Sequence, residues 1–145
     1  MNITIHTHTD LWSVDPPAIE AILACCAAHL ALKAVGDVAV VLTDDEEIRQ
    51  LNRDFRGKDK ATNVLSFPSD ADEELGDLIF AYGTIAQEAE VQGKRFAHHF
   101  AHLLVHGMLH LLGYDHERAD EAREMEALEV SILAQMAIAN PYEND

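Results

Sequence analysis

The 145 residues predict a single α+β domain, 1–145: a mixed sheet of about four strands with about five helices packed on it, and a metal site on one helix and the turn after it. Three observations lead there. Apolar residues recur with the period of strands and with the period of helices in interleaved segments, which sets helices against a sheet in one core. Two short strand-like runs, near 63–67 and 77–81, stand close enough in the chain to pair antiparallel. Finally, His106, His110 and His116 cluster around Gly113. A chain of this length buries a sizeable core in one unit, and no linker or internal repeat divides it.

Taken in order, Ile3 and Ile5 alternate with polar neighbours over residues 2–7, the pattern of a half-buried strand. Asp15-Pro16-Pro17 supplies a capping residue and first-turn prolines. Ile19, Ile22, Leu23, Cys26 and Leu30 then give an apolar face, so a helix is expected over 16–34, closed by Gly36. Residues 37–43 are apolar on both parities and rich in valine, which suits a central strand covered on both faces. Thr43-Asp-Asp-Glu46 reads as a capping box opening a second helix, with Ile48, Leu51 and Phe55 inward and Gly57 as its end. A strand at 63–67 is stopped by Pro68. Ser69 to Glu74 reads as a solvated acidic loop, and 77–81 as the fourth strand. Helices are expected from Thr84 to Gln92, from Arg95 to Leu112, and over 117–139, the last with Met125, Leu128, Ile132 and Met136 on one stripe before Asn140-Pro141.

No stretch approaches 18 uncharged apolar residues, and the N-terminus lacks the basic flank of a signal peptide. A soluble cytoplasmic protein without a membrane partner is expected. The two cysteines, Cys25 and Cys26, are adjacent and lie in an apolar helical pattern, so packing rather than a disulfide is their expected role. A formal net charge of −16 argues against broad adhesion to nucleic acid. The 49–60 stretch departs from that sign. It holds five of the ten basic side chains, Arg49, Arg53, Arg56, Lys58 and Lys60, against two acidic ones, and is a candidate anion site.

The histidines carry the chemistry. Residues four apart in a helix lie one above the other, so His106 and His110 can converge on one ion. Gly113 can take the left-handed conformation that ends a helix and turn His116 toward the same ion. Three neutral imidazoles with a fourth position left for water are the ligand set of a catalytic zinc, here one ion. Nickel or copper would accept the same donors. His98 and His102 extend the stripe upstream, but His102 and His110 stand roughly 12 Å apart along the axis, too far for one ion with bonds of about 2.1 Å. His98, His99 and His102 are therefore expected to be structural or to support the ligands. The spacing is that of the long zinc-protease motif with its glutamate replaced by Gly107, which keeps the cage and removes the base of peptide hydrolysis. A glycine inside a helix costs about 1 kcal/mol relative to alanine, so Gly107 is expected to leave room for substrate or backbone beside the ion.

Two stretches, Leu51-Asn-Arg-Asp-Phe55-Arg56-Gly-Lys58-Asp-Lys60-Ala-Thr62-Asn-Val-Leu65-Ser66-Phe67-Pro68 and His106-Gly-Met-Leu-His110-Leu-Leu-Gly-Tyr114-Asp115-His116, closely resemble the YbeY family of bacterial metal-dependent endoribonucleases, the ribosomal RNA maturation factors. Gly76-Asp77-Leu-Ile resembles it too, and the likeness spans residues 37–135. The resemblance implies a zinc-bound endoribonuclease that prefers single strands. It also implies a role in maturing ribosomal RNA, the small-subunit RNA above all, and in ribosome quality control, with ribosomal proteins or an assembly GTPase as partners. Carried over residue by residue, it makes His106, His110 and His116 the ligands and places the family's functionally important arginine at Arg56. A guanidinium suits that position, because it binds phosphate bidentately and stabilises charge developing on it. Lys58 and Ser66 are expected along the RNA groove. Asp115 is expected either to orient an imidazole or to cap the turn, and the general base is left unassigned. Two other readings stand beside this one: a non-catalytic ribosome-assembly factor with a structural metal, and a metallopeptidase lacking its usual glutamate.

Overall fold

The computed structural model describes residues 1–13, 15–30, 36–115 and 117–142. Its elements are β1 (Ile3–Thr7), α1 (Pro16–His29), β2 (Asp37–Thr43), α2 (Asp45–Arg56), β3 (Val64–Pro68), β4 (Glu74–Ala81), α3 (Tyr82–Gln92), α4 (Phe96–Leu111) and α5 (Ala119–Gln135). The strands form one sheet in the order β1-β2-β4-β3. β1, β2 and β4 are parallel, and β3 returns antiparallel on β4, so the sheet is mixed as expected. β2 lies inside it. Val38, Val40 and Leu42 join Leu78 and Phe80 in the main core on one face, and Val41 packs toward the smaller cluster of Ile48, Leu65, Ile79 and Ala81 on the other.

Helix α4 is the centrepiece of the main core. It buries Phe100, Leu104, Val105, Met108, Leu109 and Leu111 against the sheet, α1 and α5, and each fully buried leucine or methionine contributes roughly 1.5–3 kcal/mol. Trp12 closes the end of this core. Its indole Nε1 donates to the Thr43 carbonyl at 2.8 Å, and its ring meets Tyr82, Phe96 and Phe100 at centroid distances of 5.5, 5.6 and 5.0 Å. Cys26 is fully buried, and desolvation, helped by Cys25 beside it, pushes its thiol up to about 12, so it packs as a hydrophobe. Among the described residues no helix is long and apolar enough to cross a membrane.

Several local expectations need correction. The cap of α2 is Asp44, whose Oδ1 accepts from the Glu47 amide at 2.9 Å. Thr43 cannot fill that role because the β2 ladder runs through it to Ala81. Asp15 precedes α1 without a side-chain cap, leaving the prolines as the start signal. The part of the expected first helix that falls on 31–34 lies outside the described residues. β4 begins at Glu74, which shortens the acidic loop. Phe55 is not inward but 69% exposed. The inward stripe of α2 is Ile48 and Asn52, and the last turn brings Phe55 edge-on to Phe67 of the edge strand β3, at 5.7 Å.

Of the two things Gly107 is expected to make room for, substrate or backbone, the structure shows the protein's own strands. A Cβ there would stand 2.8 Å from Leu78 Cδ2 and 3.4 Å from Ser66 Oγ, so the missing side chain lets α4 approach β4 and β3. The missing side chain would point into the sheet. Gly107→Ala is therefore expected to lower stability by about 1–3 kcal/mol through overpacking, although alanine is the better helix former by about 1 kcal/mol. Urea unfolding of the two proteins measures the sign.

Candidate functional site

α4 presents its histidines along the stripe opposite its packed face. His106 and His110, one turn apart, bring their Nε2 atoms to 3.1 Å from each other, with the rings nearly perpendicular at 82°. The Nδ1 of His106 is 3.2 Å from Glu129 Oε2. An ionised carboxylate only accepts, so that contact puts the imidazole proton on Nδ1 and leaves the Nε2 lone pair facing His110. Two imidazole nitrogens at this separation are within reach of one ion with bonds of about 2.1 Å. The donor set therefore fits a zinc-type metal as far as it is described. His116, the third expected ligand, lies outside the described residues, and among those described no group of three or more His, Cys, Asp or Glu side chains converges as a metal site. Gly113 has φ +99, the left-handed turn expected after the helix.

Glu129 is the residue that sequence reasoning missed. It comes from α5, is fully buried, and its two oxygens serve His102 Nε2 at 3.2 Å, His106 Nδ1 at 3.2 Å and the Tyr142 hydroxyl. Burial works against its charge, but the hydrogen bonds from His102, His106 and Tyr142 outweigh it and hold the carboxyl down to about 2. Conversely, burial and the Glu129 carboxylate push the Tyr142 hydroxyl well above its ordinary value. A signal was present. Glu129 lies on the same buried stripe as Met125, Ile132 and Leu133, where a carboxylate needs a polar reason to be. His99 is likewise engaged, with Nε2 at 2.9 Å from Glu88 Oε1, and Asn63 Nδ2 donates to the same oxygen at 3.0 Å.

The histidine pair lies on the wall of a groove of about 780 Å³. Across it stand Arg56, Lys58 and Lys60 from the end of α2 and the loop after it, with Ser66 from β3, while Asp115 and Glu117 add acid at the rim. The left-handed Gly57, φ +71, ends α2 and swings this loop toward β3. Arg56 Nη2 donates to the Ser66 carbonyl at 2.6 Å, and its guanidinium lies 5.3 Å from the centre of the Phe67 ring. The structure thus brings Arg56, Lys58 and Ser66 to the same groove as His106 and His110. Arg49 and Arg53 of the same stretch are not in it; they pair with Glu46 and Asp59, and with Asp54. A groove that joins a guanidinium, two ammonium groups and a pair of convergent imidazoles can hold a phosphate against a metal.

Comparison with known proteins bears on the family and the fold. The family model for Endoribonuclease YbeY matches residues 10–137. The chain is 48% identical to the Endoribonuclease YbeY of Azorhizobium caulinodans, over 98% of this chain and 96% of that one. It is 50% identical to that of Acinetobacter baumannii, over 86% and 85% of the two chains. The solution structure of TM1509 from Thermotoga maritima shares the fold with a TM-score of 0.62 over 99% of this chain and 97% of that one, at 22% identity.

The buried carboxylate has a measurable signature. Its folded value of about 2 lies below that of an ordinary glutamate, so its contribution is complete above the unfolded value of roughly 4.3 and is lost as the pH falls toward 2. Glu129→Gln is expected to be less stable than the parent by about 1–3 kcal/mol at neutral pH. That gap should close between pH 4.5 and 2 in urea unfolding of the metal-free proteins.

Proposed function

The chain belongs to the YbeY family of endoribonucleases, and from that premise we propose that it is a zinc-dependent, single-strand-preferring endoribonuclease. In this reading it acts in the cytoplasm on ribosomal RNA, chiefly that of the small subunit, during maturation and quality control of ribosomes. One observation carries it: His106 and His110 present converging Nε2 atoms 3.1 Å apart on the wall of the groove that Arg56 faces.

In the proposed site His106, His110 and His116 hold one zinc ion. When bound, zinc supplies a Lewis acid that polarises a phosphodiester oxygen. Glu129 keeps the His106 proton on Nδ1 and so presents the Nε2 lone pair to the metal. Arg56 exchanges its contact with the Ser66 carbonyl for the phosphate and neutralises the charge that builds on it as an attacking oxygen bonds to phosphorus and the bond to the leaving oxygen breaks. Lys58 and Lys60 anchor neighbouring phosphates along the same wall. The acidic exterior, −16 in total, repels RNA outside the groove, which favours delivery by a ribosomal protein or an assembly GTPase.

The peptidase alternative lacks support at the position that matters. Residue 107 is glycine, and a side chain there would point at Leu78 of β4, so no carboxylate from this position reaches a substrate. His110→Ala is expected to abolish both zinc content and cleavage of single-stranded RNA. Arg56→Ala should keep stoichiometric zinc and lose roughly 10²–10³-fold in kcat, the effect of removing one charge-stabilising donor. Elemental analysis paired with an oligonucleotide assay reads both. Undiminished cleavage by the Arg56 variant would remove that residue from the mechanism.

A further inference from the structure

The groove does not end at the histidine pair. A second depression of about 490 Å³ shares Asn63 and His106 with it and continues past His99 and His102 to Lys94. A third, of about 370 Å³, shares Lys94, His99 and His102 with the second and ends at Arg95 and His98. The three follow the histidine stripe of α4 back to its start. Arg95 and His106 are eleven positions apart in sequence, which along a helix is about 17 Å.

The charges single out this path. Arg49, Arg53 and Arg118 are neutralised by carboxylates. Arg56, Lys58, Lys60, Lys94 and Arg95 form no ion pair among the described residues, and all five line the three adjoining depressions, while Arg123 on α5 is likewise unpaired and lines none of them. In a chain of net charge −16, five uncompensated cations at the two ends of one trough, with the histidines between them, are what a polyanion lying along it would select. The acidic side chain facing the middle of the path, Glu88, is turned to Asn63 and His99. Lys94 donates to the Pro141 carbonyl at 2.7 Å, and burial lowers its pKa, so its ammonium is partly desolvated with no anion beside it.

We propose that Lys94 and Arg95 form a second phosphate-binding subsite for single-stranded RNA, reached by the strand that runs from the scissile position at His106 and His110 along α4. This rests on the endoribonuclease reading above and adds where the rest of the strand lies. At no less than about 3.4 Å per nucleotide of stacked strand, the 17 Å is covered by about five nucleotides or fewer. The dinucleotide UpU, whose sole phosphate is the one cleaved, cannot reach the subsite, and a twelve-nucleotide oligouridylate can.

The test uses the zinc-loaded full chain, with Arg95→Glu alone, Lys94→Glu/Arg95→Glu together, and Arg123→Glu, equal in charge change to Arg95→Glu, as a control away from the trough. Lys94→Arg/Arg95→Lys tests rescue by charge. The double charge reversal is expected to lower kcat/KM on the twelve-mer about tenfold at 0.1 M salt through KM, with kcat within twofold. Neutralising both as Lys94→Gln/Arg95→Gln should reduce the slope of log kcat/KM against log salt by about 1.4, two contacts at about 0.7 each. Arg95→Glu should show part of the loss, and the control, the rescue variant and cleavage of UpU should stay within twofold of the parent. Twelve-mer cleavage by the double reversal within twofold of the Arg123→Glu control, or a loss equal on UpU and the twelve-mer, overturns the subsite. A parent protein that leaves the twelve-mer intact overturns the endoribonuclease reading itself, before any variant is compared.

Discussion

Helix α4 approaches the sheet most closely at residue 107, which has no side chain. With the Cβ position 2.8 Å from Leu78 Cδ2 and 3.4 Å from Ser66 Oγ, a larger residue would press on the buried Leu78 side chain and force it or the helix to shift. The same closeness fixes the distance between the histidine stripe and β3, and with it the distance between the imidazole pair and Arg56, which β3 holds through the Ser66 carbonyl. Core packing and site geometry are thus one constraint. A helix that buries Leu104, Met108 and Leu109 in the main cluster cannot slide by a residue without turning His106 and His110 away from the groove.

The second support comes from the opposite side of the stripe. Glu129 is a buried charge with three donors, and such a group costs heavily unless each oxygen is satisfied. Its position on α5 ties that helix to α4 through imidazoles as well as through Met125 and Ile132, and Tyr142 brings the segment after α5 into the same network. The histidine that faces the groove is thereby held by residues far from it in sequence. Such an arrangement fixes the orientation of the imidazole through its hydrogen bonds.

Much of this was legible in the residues. The order of elements follows from alternating periods, and the central place of β2 follows from an apolar pattern on both parities at Val38 to Leu42. The imidazole pair was visible as an i, i+4 repeat. What local pattern could not give was tertiary. Phe55 continues the apolar spacing of Ile48, yet it sits over an edge strand where no layer covers it. Gly107 reads as space near an ion until β4 is seen to fill that space. Thr43 is as good a capping residue as Asp44, and the extra rung of the β2–β4 ladder decides between them. Glu129 and Tyr142 belong to the site through folding alone, since 23 and 36 positions separate them from His106 in the chain.

The packing of Trp12 has a practical consequence. It is the chain's one tryptophan, 7% exposed, wedged against Phe96 and Phe100 in the opening turns of α4 and bonded to the end of β2. Its fluorescence is therefore a built-in optical gauge of whether that helix is seated. Water reaching the indole would shift the emission to the red, so the docking of the helix that carries the histidine pair can be watched without attaching a dye.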